Sequence, residues 1–379
     1  MKQTFFCRSL SLLLLLCILP CLLLVGAAAE DTSSGDGAAC TDCFAQADAA
    51  PFDFTKDELS EPSLQVDTDE SGRAYLYVGG FPFGVRYLTQ GVLVVGFSEV
   101  ECGGRKENPA KKAGIRPGDT ILSVNGQEIN DAQALSGLFA GCGGESCLVR
   151  FRREEKEREV SLLPIRSDRD GQYRAGLSVR DTGAGIGTVT FFSEDGTFGG
   201  LGHGICDGES GALVPMRRGS VLGVTLCGVK KGLPGAPGEL KGHFSAGKTG
   251  VLRKNTQVGV FGRFAERPLS PAGKVPVAHR SELHEGDATL WCTLADNCPR
   301  EYRVKISQIN AEARGNKCFC VTVTDPELIE RTGGIVQGMS GSPILQDGRL
   351  VGAVTHVLIA DATTGYGIFI ENMIENMDE

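Results

Sequence analysis

The sequence is poor in tryptophan and histidine, with one and five among 379 residues, and it has no surplus of positive charge. Its 38 Lys and Arg stand against 47 Asp and Glu, a formal net charge of −9. Such a chain offers no basic footprint for a phosphate backbone, which excludes a general nucleic-acid binder. A second long apolar run is also missing: one lies in the first 29 residues, and no later stretch reads as a membrane-spanning helix. No second Cys-x-x-Cys follows Cys40-Thr-Asp-Cys43, so the sequence completes no structural zinc site. Collagen-like periodicity is absent too, although the 52 glycines are about twice the usual share. That excess reads as many tight turns between short strands. Hydrophobic residues at 41% and charged residues at 22% describe a folded protein, and the length suits two or three domains.

What is present begins with a leader. Lys2 and Arg8 give a positive start, Leu10 to Val25 is apolar except for Ser11 and Pro20, and Ala27-Ala28-Ala29 supplies small residues for cleavage. Residues 1–29 therefore read as a secretory signal peptide, or as an uncleaved signal anchor that ties the chain to a membrane. Beyond them, 36 basic residues face 47 acidic ones, a net of −11, in an exported chain. Three of the 14 cysteines lie in the leader, and the eleven others are an odd number. Cys142/Cys147, Cys292/Cys298 and Cys318/Cys320 are close enough in sequence for local disulfides, with buried thiols among the rest.

Residues 30–80 read as a linker with a lead-in strand: Glu30 to Glu70 is rich in Asp, Ser, Ala and Thr, and patterning starts at Arg73-Ala-Tyr-Leu-Tyr-Val78. Residues 81–165 form a unit of their own. Gly91-Val-Leu-Val-Val-Gly96 is a buried strand after a glycine turn. Ala113-Gly-Ile-Arg-Pro-Gly-Asp119 is a turn into Thr120-Ile-Leu-Ser-Val124. Asn125-Gly126 signals a hairpin, and Asp131 can cap a helix through Ala134, Leu135 and Leu138. This order resembles a bacterial PDZ domain. The resemblance implies capture of a peptide C-terminus or internal strand by strand addition, with Gly91, Val92, Leu93 and Val94 as the receiving segment. Residues 166–379 carry short apolar runs punctuated by Gly and Pro, such as Gly187–Phe192, Val221–Leu226 and Cys318–Thr324. They read as all-β, barrels or a sandwich, with room for two small barrels and one helix at Ile370–Met377.

The sharpest chemical motif is Gly338-Met-Ser340-Gly-Ser-Pro343. A serine between glycines in a tight turn is presented as a nucleophile, and the amides of Gly338 and Ser340 can form an oxyanion hole. The following Pro343-Ile-Leu, Asp347-Gly348 and Leu350-Val-Gly-Ala-Val-Thr355 reproduce the hairpin that follows the nucleophile in chymotrypsin-like proteases. For a base, His203 sits in the glycine-rich Gly199-Gly-Leu-Gly-His-Gly-Ile205, and His356, after the Val-Thr strand, is the alternative. His243, His279 and His284 lie in polar stretches and read as solvated.

Four stretches together resemble the peptidase of the stage IV sporulation protein B family: Gly200-Leu-Gly-His-Gly-Ile205, Lys230–Gly242, Thr332–Pro343 and Gly352–Val357 with Gly365-Tyr-Gly367. The resemblance implies a mainly β fold, a PDZ domain followed by a chymotrypsin-like double β-barrel. It implies a serine endopeptidase of endospore formers, exported into the space between forespore and mother-cell membranes. Its protein substrate would be a membrane-anchored regulator of an intramembrane protease, whose release activates a sigma factor. Neither metal nor organic cofactor is implied. Ser340 maps to the nucleophile, His203 to the base and Asp325 to the acid. Asp325 also reads as an Asx turn before Pro326, and Asp207 is the alternative acid. The competing class is a non-catalytic PDZ scaffold on a protease-like barrel, which loss of Ser340 or His203 would have favoured.

Overall fold

The computed structural model describes residues 66–379 except Glu155, Glu209, Ser210, Asn297 and Glu379. The leader, most of the linker and the Cys40/Cys43 pair lie outside the described residues. Strand β1 (Ala74–Val78) leads into β2 (Pro82–Phe97), whose two halves feed two different cores. Phe83, Val85 and Tyr87 join a cluster with Val189, Phe192, Phe198 and Val260. Val92 and Val94 join another with Ile121, Leu135, Phe139 and Phe151. Alternation within each half is what a strand with one core-facing side requires. Gly91 marks the break. Its φ is +78°, and a Cβ there would stand 2.5 Å from the Ile121 carbonyl oxygen, so glycine alone fits.

The second half of β2 belongs to the PDZ unit, with β3 (Thr120–Val124), α1 (Ala132–Gly141), β4 (Cys147–Arg153) and β5 (Lys156–Leu162). Asn125 and Gly126, at φ 50° and 79°, make the predicted turn after β3. Asp131 caps α1 by accepting from Ala134 N at 2.6 Å. Buried Asp119 takes both ends of the Arg153 guanidinium at 2.6 Å, which ties the turn before β3 to β4. Strand β6 (Leu177–Phe192) then runs back along nearly all of β2, from Leu177 beside Phe97 to Thr188 beside Pro82. The PDZ unit is therefore not a separate bead beside the barrel: β2 and β6 pass through both.

The first barrel is completed by β7 (Thr197–Gly200), β8 (Met216–Lys230), β9 (Glu239–Thr256) and β10 (Gly259–Phe264). The antiparallel pairings close a ring in the order β2-β6-β7-β10-β9-β8. The second barrel comprises β11 (Gly286–Cys292), β12 (Arg300–Ser307), β13 (Phe319–Val323), β14 (Pro343–Gln346), β15 (Arg349–Leu358) and β16 (Asp361–Phe369), closed in the order β11-β12-β13-β16-β15-β14. Leu290, Val304, Val321, Ile344 and Ile368 fill it. Phe319 and Phe369, centroids 5.5 Å apart, are fully enclosed, and truncating either to alanine costs about 3–5 kcal/mol.

Helix α2 (Pro326–Thr332) stands between β13 and the Ser340 loop, and α3 (Ile370–Asp378) ends the fold. The sequence reading had only the second. Asp325 caps α2, Pro326 presets its first turn and Gly333, at φ +77°, stops it. The cysteines correct another expectation. All nine among the described residues are free thiols, and Cys292, sealed in the second barrel, is far from equivalent to exposed Cys298.

Candidate active site

Each barrel contributes one half of the site. His203 follows β7 in a turn where Leu201 and Gly202 both have left-handed φ, +65° and +68°. A buried leucine in that conformation is uncommon, and such strain concentrates at functional positions. Ser340 lies in the loop before β14 and is 8% exposed, while His203 is 2% exposed. The ladder between β15 and β16 slips between Val354 and Val357. Within that irregularity, Thr355 O receives the Ser340 hydroxyl at 2.7 Å. The next residue, His356, stacks obliquely on His203 with ring centroids 4.9 Å apart.

His203 Nδ1 lies 2.9 Å from Gly204 O. A carbonyl only accepts, so the neutral ring carries its proton on Nδ1 and its basic lone pair on Nε2. Burial pushes the His203 pKa below 6.5 against the opposing pull of that carbonyl, which favours the neutral base. The N–H groups of Gly338 and Ser340 donate to no other described group, whereas Met339 N donates to Val336 O and Gly341 N to Val354 O. Two free amides on either side of Met339, the second belonging to the serine itself, are what a developing oxyanion needs.

Strand β6 backs this loop. Thr188 Oγ1 donates to Gly338 O at 2.7 Å, Thr190 Oγ1 donates to Gly341 O at 2.8 Å, and Thr188 N donates to Ser340 O at 3.0 Å. The approach is close enough that a Cβ on Gly341 would sit 2.2 Å from Thr188 O. Sequence reasoning missed both threonines. Their spacing of two in Gly187-Thr-Val-Thr190, which puts two hydroxyls on one strand face, was the available signal.

The two candidate acids each have a charged partner. Asp325 Oδ1 accepts from Glu327 N at 3.0 Å and Leu328 N at 3.3 Å, and Oδ2 accepts from Arg303 N at 3.3 Å. Its ion pair is with Arg303 at 3.6 Å, and no hydrogen bond or ion pair joins it to His203. Asp207, its side chain fully buried, pairs with Arg180 of β6 at 2.8 Å.

The segment expected to receive a peptide is also placed differently. Val92, Leu93 and Val94 are fully buried between β3 on one side (Val92 beside Ile121) and β6 on the other (Leu93 beside Arg180, Val94 beside Val179). With both edges taken, Gly91–Val94 has no room for another strand. A groove of 710 Å³ opens instead between α1, through Leu135 and Phe139, and the start of β6, through Leu177 and Val179.

A double β-barrel with a nucleophile loop at the junction, joined to a PDZ unit, defines a serine peptidase. The sequence model of the family described as SpoIVB peptidase S55 matches residues 171–374, more than half of the chain, and a PDZ-domain model matches residues 102–153. The chain belongs to the SpoIVB peptidase S55 family. Among solved structures, it is similar to the PDZ domain of the SdrC-like protein from Listeria monocytogenes at 18% identity, covering 24% of this chain and 87% of that one, with a TM-score of 0.20. It is similar to the HtrA-type protease AlgW at 12% identity, covering 53% of each chain, with a TM-score of 0.32. It is likewise similar to the Rv3671c protease from M. tuberculosis at 12% identity, covering 51% of this chain and 72% of that one, with a TM-score of 0.30. The chain thus spans about half the length of AlgW.

Proposed function

We propose that this serine peptidase is an exported endopeptidase of sporulation signalling, acting on a membrane-anchored regulator of an intramembrane protease in the space between the forespore and mother-cell membranes. Family membership supports the substrate class. The observation that carries the chemistry is the packing of the turn that leads into His203 against Gly341 of the Ser340 loop, with His203 stacked on His356 and two free amides in the loop. Ser340 turns from Thr355 O toward His203 Nε2, which takes its proton as Oγ bonds to the scissile carbonyl carbon. The carbonyl electron pair moves to oxygen, held by Gly338 N–H and Ser340 N–H. As it returns, the amine leaves with the proton from His203, and water then releases the acyl group by the same steps. The Gly204 carbonyl orients the imidazole where a carboxylate stands in a full triad. A peptide C-terminus or internal strand adds to the Leu177–Val179 edge of β6, opposite α1, in place of Gly91–Val94. No helix among the described residues is long and apolar enough to cross a membrane.

The test is cleavage of membrane-embedded regulator fragments by the purified chain. Ser340→Ala and His203→Ala each abolish it, a loss of about 10⁴ to 10⁶ in rate. Cleavage retained in either variant removes that residue from the mechanism. If His356→Ala is the inactive histidine variant instead, His356 is the base.

A further inference from the structure

We infer that Thr188 is the positioning residue of the oxyanion hole, an inference that rests on the catalytic reading above. The two donors to the oxyanion are N–H groups of a loop whose glycines resist no rotation: Gly338 and Gly341 both have φ +93°. A trans peptide sets each N–H opposite the carbonyl of the residue before it, so whatever holds the carbonyls aims the amides. Four consecutive carbonyls in this loop are each held. Gln337 O accepts from Leu240 N at 2.8 Å, Met339 O from Ser342 N at 2.9 Å and Ser340 O from Thr188 N at 3.0 Å. Gly338 O accepts from the Thr188 hydroxyl at 2.7 Å. Thr188 supplies two of these four clamps: it holds the Gly338–Met339 and Ser340–Gly341 peptides, which flank the Met339–Ser340 peptide that carries one donor, and the first of them also adjoins the Gln337–Gly338 peptide that carries the other.

The third polar group of Thr188 reaches the turn that leads into His203. Its carbonyl accepts from Leu201 N at 3.1 Å, two residues before His203. One residue, 2% exposed in the middle of β6, therefore ties the nucleophile loop of one barrel to the base loop of the other. Of the four clamps, its hydroxyl is the only side chain, hence the only one a substitution removes without altering the backbone. A valine of nearly the same shape would leave Gly338 O buried without a donor and loosen the Gly338–Met339 peptide, the link between the two peptides that carry the oxyanion donors.

The experiment compares Thr188→Val, Thr188→Ser and Ser340→Ala in the full chain, each with a thermal melt. Readouts are kcat and KM on a cleaved peptide, and affinity for an aldehyde of that peptide, whose hemiacetal oxygen occupies the hole. Losing one oxyanion donor outright costs about 10²–10³ in rate, and misaiming one costs less. Thr188→Val is expected to lose about 10- to 100-fold in kcat with KM within about threefold, and to bind the aldehyde more weakly by a matching factor. Thr188→Ser, which keeps the hydroxyl, recovers most of both. A folded Thr188→Val with unchanged kcat and aldehyde affinity overturns the inference, as does a Thr188→Ser as defective as the valine variant. Should the valine variant not fold, Thr188→Ala is read against Thr188→Ser by the same two criteria. Ser340→Ala separates the levels. Full turnover there overturns the catalytic reading itself, while a dead Ser340→Ala beside a fully active Thr188→Val overturns the role of Thr188 alone.

Discussion

Burial sets the working range of His203. Removing the imidazole from water penalises its charged form, and the hydrogen bond from Nδ1 to Gly204 O offsets only part of that, so its pKa lies below 6.5. A folded-state pKa below the unfolded value means that neutral His203 is fully tolerated above about pH 6.5, while stability is lost as pH falls toward the folded pKa. In the proposed mechanism the same titration removes the base. The acid limb of kcat/KM is therefore expected to have its midpoint below pH 6.5, and a midpoint above about pH 7 contradicts this assignment. Ser340 and His203 stand out in the sequence because glycine-rich turns carry both. Thr188 does not, because a threonine in an apolar run is ordinary strand composition, and its partner Gly338 lies 150 positions away.

Helix α2 shows what an element does for the site. Its seven residues bury only Leu328 and Thr332, too few to print a helical period, yet Asp325, Pro326 and Gly333 define both ends. Burial opposes ionisation of Asp325, but the N–H groups of Arg303, Leu328 and Glu327 and the Arg303 charge outweigh it and hold the pKa below 3.8. Those are the partners of a helix cap, and α2 runs directly into the segment that delivers Ser340. Asparagine keeps a capping oxygen and alanine does not. Asp325→Asn is therefore expected to keep turnover within about threefold, while Asp325→Ala loses about 0.5–2 kcal/mol of stability by denaturant titration. A folded Asp325→Asn that loses 10²-fold or more in kcat would instead make Asp325 the triad acid. The strands were legible as existing but not in length. Strands β2, β6, β8 and β9 run for 15 to 18 residues, and the glycines and polar residues on their outer faces broke each into what reads as a short run.

At the scale of the molecule, the two long strands β2 and β6 join what the sequence presents as consecutive units. The pairing of Leu88 with Thr182 and of Leu93 with Arg180 continues the ribbon from barrel to PDZ unit. Long-range pairing of this kind leaves no local signature, which is why a boundary at residue 81 looked natural. The same ribbon carries the groove edge, Leu177–Val179, at one end and Thr188, behind the oxyanion loop, at the other. The proposed mechanism rests on one nucleophile, Ser340. The most direct measurement is reaction of the full chain with a serine-directed fluorophosphonate, followed by peptide mass spectrometry, in the parent protein and in Ser340→Ala and His203→Ala. The arrangement predicts a single adduct on Ser340, none in Ser340→Ala, labelling slowed by orders of magnitude in His203→Ala, and loss of peptide hydrolysis in step with labelling. An adduct on another serine, or hydrolysis that persists once Ser340 is fully labelled, would contradict it.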